Sequence, residues 1–301
     1  MDTRSKYQTF LVQYHAGVAR DLPIISPYAR ELAEMSRHRT PPLFAIARAF
    51  ETDPFLAAKL TGTSNSIFFA HDHRLVLTVR EALSRVGLKY ALNLLWASPP
   101  LPPDVAPSQT ASLWTHCMTV AHVARSVAAR AASAPLQPQV AHLVAMIHDI
   151  GYLLQLSYSA STLSDIAARL QDEECGDDND AHAAQGEELA KFWSLPIPAT
   201  EAIRGHHDPD RCPSGTGRWL AMVIAGSESL LRQDLDHPAL ASGSLSGASY
   251  FRELHVDAEH LPALRSEAIR VRDECVRVSR HGTLAASRGA HLQLIRSDKN
   301  D

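Results

Sequence analysis

His148 and Asp149 stand side by side inside the largely apolar run from Ala141 to Leu156. An imidazole and a carboxylate placed where burial is expected need partners, because an isolated buried charge is costly. Further histidines supply candidates: His116 precedes this run, His182 follows it, and His206 and His207 form an adjacent pair. Neutral imidazoles together with a carboxylate are the donor set of a first-row divalent metal site, and these donors do not separate Fe, Mn, Zn and Mg.

Helices are the elements that would have to carry these groups. Val120, Val123, Ala124 and Val127 mark one helical face, and His116, four residues before Val120, shares it. A second helix offers Leu143, Ile147 and Leu154 to a core, with Val144 and His148 in the neighbouring row. A third, from near Asp180, presents His182, Gly186, Leu189 and Trp193; a fourth opens at Pro196-Ile197-Pro198 and stops before Pro209. On one helix His206 and His207 would diverge by about 100°, so one is expected to bind metal while the other orients a ligand or meets phosphate.

Upstream, between Tyr28 and Leu95, several short helices follow from apolar residues at helical spacing. Asp53-Pro54 reads as an N-cap and first turn, and Ser64-Asn65-Ser66 as turn or capping chemistry. Sustained strand alternation is hard to find, so the expected fold is all-α. The stretch Ser98 to Pro103 cannot continue a helix and marks a boundary between an N-terminal helical subdomain (1–103) and a second helical subdomain (104–250). In the remaining segment, 251–301, Leu264, Ala268, Val271, Cys275 and Val278 recur at three- and four-residue steps. That helix is expected to pack back on its own domain, being too short for a coiled-coil argument, and a polar tail follows it.

The formal net charge of -4 supplies no global positive field, which disfavours nucleic acid as a partner. The four cysteines show no CxxC spacing, no secretory signal opens the chain, and the most apolar run is too short to cross a bilayer. A soluble cytoplasmic protein without a membrane partner is expected. His122, His142 and the His71-Asp72-His73 cluster suggest surface or capping roles, Arg204 and Arg211 solvated cations, and the acidic Asp172–Asp180 segment a solvated loop.

The ordered set His116, His148-Asp149-Ile150-Gly151, His182 and His206-His207 resembles the metal-binding pattern of the HD superfamily of helical phosphohydrolases. Leu22-Pro23, Asp53-Pro54, Lys59-Leu60, Ser64-Asn65-Ser66 and Ala82-Leu83 with Gly87-Leu88 resemble the HDOD family, a bacterial signalling relative, over about Asp21 to Leu231. The resemblance implies an all-helical fold in which an N-terminal bundle packs on an HD-like bundle. It also implies a regulatory role through a signalling protein partner, with His116, His148, Asp149, His182, His206 and His207 at ligand positions. The alternative is a metal-dependent phosphohydrolase acting on a nucleotide or cyclic dinucleotide, with Asp149 positioned between metal and attacking water. Three departures weigh against turnover: Tyr152 stands where active HD-GYP enzymes have lysine, their glycine-tyrosine-proline loop is missing after His207, and the closing aspartate is Gly226. Glu228 replaces that aspartate only if the helical register shifts, two residues being roughly 200° of rotation.

Overall fold

The computed structural model describes residues 23–36, 41–70, 74–98, 110–132, 134–152, 179–232 and 246–281, and among these there is no strand. Asp53 organises the first bundle. Its Oδ1 accepts the Leu56 N–H at 3.0 Å and so caps α3 (Pro54–Ser64), which follows α2 (Leu43–Glu51). Its Oδ2 accepts the Ile25 and Ser26 N–H groups, both at 2.9 Å, and holds the approach to α1 (Pro27–Ser36). One carboxylate thus joins two helix starts, as the Asp53-Pro54 pair suggested for one of them. Asn65 ends α3: its amide donates to the Thr61 and Val76 carbonyls at 2.9 and 2.7 Å and accepts the Val76 N–H at 2.8 Å. That bridge aims the chain into α4 (Val79–Val86), which passes to α5 (Leu88–Ala97) through Gly87, at φ 84°.

The second bundle is built on α6 (Ala111–Arg130), flanked by α7 (Pro138–Ile147), α10 (Gly215–Arg232) and α12 (Leu261–His281). Between α7 and α10 run α8 (Asn179–Phe192), α9 (Ile197–Gly205) and a 3-10 turn at Pro209–Arg211; α11 (Ser246–Glu253) packs on α10. The expected C-terminal helix folds back: Leu264, Ala268, Val271 and Cys275 are buried, and α12 lies along α6. Burial of Leu264 and of Val271 is worth about 1.5–3 kcal/mol each. His122 on α6 and His142 on α7 depart from the surface roles expected of them: both are part-buried, and their rings meet edge to face at 5.0 Å. Residues 71–73, 172–178 and 282–301 lie outside the described residues. No described helix is long and apolar enough to cross a membrane.

The bundles meet at α3, which lies against α7, and at the turn before it. Trp114 of α6 donates its indole N–H to the Thr52 carbonyl at 2.8 Å. On the other side, Phe55 faces Trp193 with ring centroids 5.7 Å apart, and Gly62 lies so near the Trp193 carbonyl that a Cβ would overlap it. Trp193 occupies the turn that ends α8, where Leu195 N–H reaches the Ala190 carbonyl at 2.9 Å and Ser194 takes φ 59°. A non-glycine residue in this left-handed position costs about 1 kcal/mol. Trp193 Nε1 and Thr61 Oγ1 are buried without a hydrogen-bond partner among the described residues, each at a cost of about 1–3 kcal/mol.

Candidate metal centre

α7 ends at Ile147, and His148-Asp149 form a turn before helical residues resume at Ile150. The break replaces the continuous helix expected through this run, and it frees both side chains to face one point. Gly151 is required just beyond it, because a Cβ there would overlap the His182 carbonyl of α8. α9 likewise stops at Gly205, and although His206 keeps helical dihedrals (φ -64°, ψ -23°), the rings of His206 and His207 both reach the cluster. Both face the centre: His182 Nε2 lies 3.2 Å from His206 Nε2 and 3.0 Å from His207 Nε2.

Asp149 is the hub. Its Oδ2 is 3.3 Å from His116 Nε2 and 3.4 Å from His148 Nε2, while its Oδ1 is 3.2 Å from His182 Nε2 and 3.6 Å from His206 Nε2. Glu228, on α10, completes the first group: its Oε1 stands 3.5 Å from His116 Nε2 and 3.4 Å from His148 Nε2. The register question is therefore answered in favour of Glu228, whose longer side chain supplies a carboxylate from two residues beyond the expected position. Gly226 instead faces Phe251 of α11, whose ring would lie 3.2 Å from a Cβ added there. All six histidine and aspartate positions singled out in the sequence converge, and Glu228 joins them. Donors about 2.1 Å from one ion at octahedral or tetrahedral angles are spaced about 3.0–3.4 Å apart; four of these six separations fall in that range and the other two, 3.5 and 3.6 Å, lie just beyond it.

Two imidazoles have their tautomers set. His148 Nδ1 lies 2.5 Å from the Ala145 carbonyl and His206 Nδ1 2.7 Å from the Ile203 carbonyl. A carbonyl only accepts, so each Nδ1 carries hydrogen; in the neutral rings the Nε2 lone pair is left facing the cluster, as metal ligation requires. Electrostatically the halves differ. Burial drives His206 well below the usual histidine range, reinforced by His207, His148 and His182. Burial also lowers His116, yet hydrogen bonds to Asp149 and Glu228 outweigh it and carry the ring to about 9. Burial would raise Asp149, but His148, His116 and His182 hold it well below the normal carboxylate range. Three groups of donors fall within 4.8 Å of one another: His182 with His206 and His207, His116 with His148 and Glu228, and His148 with Asp149 and His206.

Tyr152, 5% exposed, stacks flat on His182 with centroids 4.2 Å apart and planes 9° from parallel. It places an aromatic wall against the cluster at the position where the resemblance led us to look for lysine. Arg204 pairs with Glu187 at 3.6 Å and Arg211 with Asp208 at 2.9 Å.

Comparison with curated proteins returns no match. Among solved structures, the MmoQ response regulator from Methylococcus capsulatus str. Bath aligns at 20% identity with a TM-score of 0.59, covering 82% of this chain and 98% of that one. A virulence factor from Campylobacter jejuni aligns at 15% identity with a TM-score of 0.58, covering 85% and 93%. At these identities the likeness speaks for the helical architecture alone. The model of the HDOD domain matches residues 22–209, which span the first bundle and all six histidine and aspartate donors. The chain belongs to the HDOD family.

Proposed function

We propose that this protein is a signalling module acting through contacts with a protein partner, and that its second bundle holds two divalent ions bridged by Asp149. The observation that carries the metal reading is the division of Asp149: one oxygen faces His116 and His148, the other His182 and His206. His116, His148 and Glu228 would hold one ion, and His182, His206 and His207 the other. Tyr152 favours regulation over turnover, since a buried ring lies where a cation would stabilise phosphate charge. Likeness to a protein described as a response regulator agrees with this role at the level of fold.

A phosphohydrolase is the second reading, favoured by the 23% exposure of the His116 side chain at the edge of the cluster. Divalent ions in such a site would activate water near neutral pH and polarise a phosphoryl group. Protein stripped with chelator and dialysed against Mn²⁺ or Zn²⁺ should retain about two ions per chain by elemental analysis. Asp149→Ala should lose both; Glu228→Gln and His207→Ala should each lose one. Two ions retained by Asp149→Ala would sink the bridged centre. Metal-supported hydrolysis of a nucleotide or cyclic dinucleotide, abolished by Asp149→Ala, would replace the regulator with the enzyme.

A further inference from the structure

We infer that the seam between α3 and the Trp193 turn carries metal occupancy from the second bundle to the first, an inference that rests on the two-ion reading above. α8 is the connecting rod. One end bears His182, within 3.2 Å of His206, His207 and Asp149. Gly151 sits beneath the His182 carbonyl and against the backbone of Gly186, so this end is locked to the turn that presents His148 and Asp149. The other end delivers Trp193, roughly 16 Å further along the axis at 1.5 Å per residue.

At that end the contact with α3 is of a different kind. Gly62 offers no side chain to interlock, Phe55 meets the indole at a 60° tilt, and the buried Thr61 hydroxyl and Trp193 N–H find no partner among the described residues. The seam is thus a close backbone and aromatic contact that the Thr61 hydroxyl and the Trp193 N–H do not reinforce among the described residues, so its firmness depends on how well the Trp193 turn is held. Trp114 makes the contrast: its helix bears His116, and its indole is pinned to Thr52 by a satisfied hydrogen bond. The first bundle thus meets the ligand-bearing elements in three ways: by a hydrogen bond from α6 to Thr52, by α3 lying against α7, and by the close packing of α3 on the Trp193 turn. An ion shared by His182, His206, His207 and Asp149 ties α8 to α9 and to the His-Asp turn. Restraint of α8 then restrains the Trp193 turn and, through it, α3. Coupling of this kind needs no displacement, and it is reciprocal: a lesion in the seam weakens metal binding by the factor with which metal steadies α3.

Amide hydrogen exchange on the full chain tests this, with and without Zn²⁺ or Mn²⁺ and with bound metal quantified on each sample. In the metal-replete wild type, exchange within residues 55–64 should slow by about five-fold or more. Phe55→Leu and Gly62→Ala should reduce the slowing to less than about two-fold at full metal content, with a matching loss of metal affinity. Trp114→Phe should keep the response. Should Gly62→Ala fail to fold, Phe55→Leu carries the test. Wild-type slowing in the folded seam variants, equal loss of the response in Trp114→Phe, or no slowing in metal-replete wild type would overturn the coupling alone. Failure of the wild type to retain either ion would instead overturn the two-ion reading, and the coupling with it.

Discussion

His148 and His206 are oriented by the same device, a backbone carbonyl three residues earlier that takes the Nδ1 hydrogen. Replacing either ring therefore removes a donor without disturbing the helix that supplies the carbonyl. Gly151→Ala acts the other way: it keeps every donor but forces the His-Asp turn away from the His182 carbonyl. We expect it to lower stability by about 2 kcal/mol or more, read from urea unfolding, and to weaken metal binding at least ten-fold. Asp53 offers a pH test away from the cluster. Complete burial raises its carboxyl to about 6 from 3.8, although three backbone N–H groups and Arg30 oppose the shift. The native state then binds more protons than the unfolded chain between these values, so this group's contribution is greatest below pH 4 and is lost as pH rises through about 6. Relative to Asp53→Asn, the wild type should lose up to about 3 kcal/mol across that window in chemical denaturation. A pH-independent difference would show that the carboxylate is already ionised at the low end.

Both adjacent pairs in the centre lie just past a helix C-terminus, His148-Asp149 after α7 and His206-His207 after α9. Helix C-termini carry partial negative charge, so both helices direct a favourable field at bound cations. Helical periodicity in the sequence identified which faces of α6 and α8 carry His116 and His182, because those positions share a stripe with buried valine and leucine. It led to an expected division of roles between His206 and His207, yet both rings reach His182, because side chains of this length converge from neighbouring positions at a helix end. The break at His148-Asp149 was equally illegible, with no proline or glycine marking it before Gly151. Glu228 was visible as a residue but not as a donor: whether two residues of rotation can be recovered by a longer side chain depends on how α10 lies against α6, which pattern alone does not specify. The seam at Trp193 was also out of reach, because it depends on a backbone contact between segments more than a hundred residues apart.

At the scale of the molecule, α6 bears load for the whole second bundle: it carries His116, lines α7 and α10, meets Thr52 at the end of α2 through Trp114, and is covered by α12. Covering it matters. Val271→Asp would place an unpaired charge at a position 1% exposed and should cost about 3 kcal/mol or more, with a fall in metal content as α6 loosens. Unchanged denaturation would mean that α12 is dispensable to the bundle. The pairing of Gly226 with Phe251 limits how α10 can be substituted. Because an aromatic ring from α11 fills the space beside residue 226, the side chain of Gly226→Asp meets that ring rather than the cluster that Glu228 serves. A lost Glu228 carboxylate is therefore not restored from position 226 while the ring stands there.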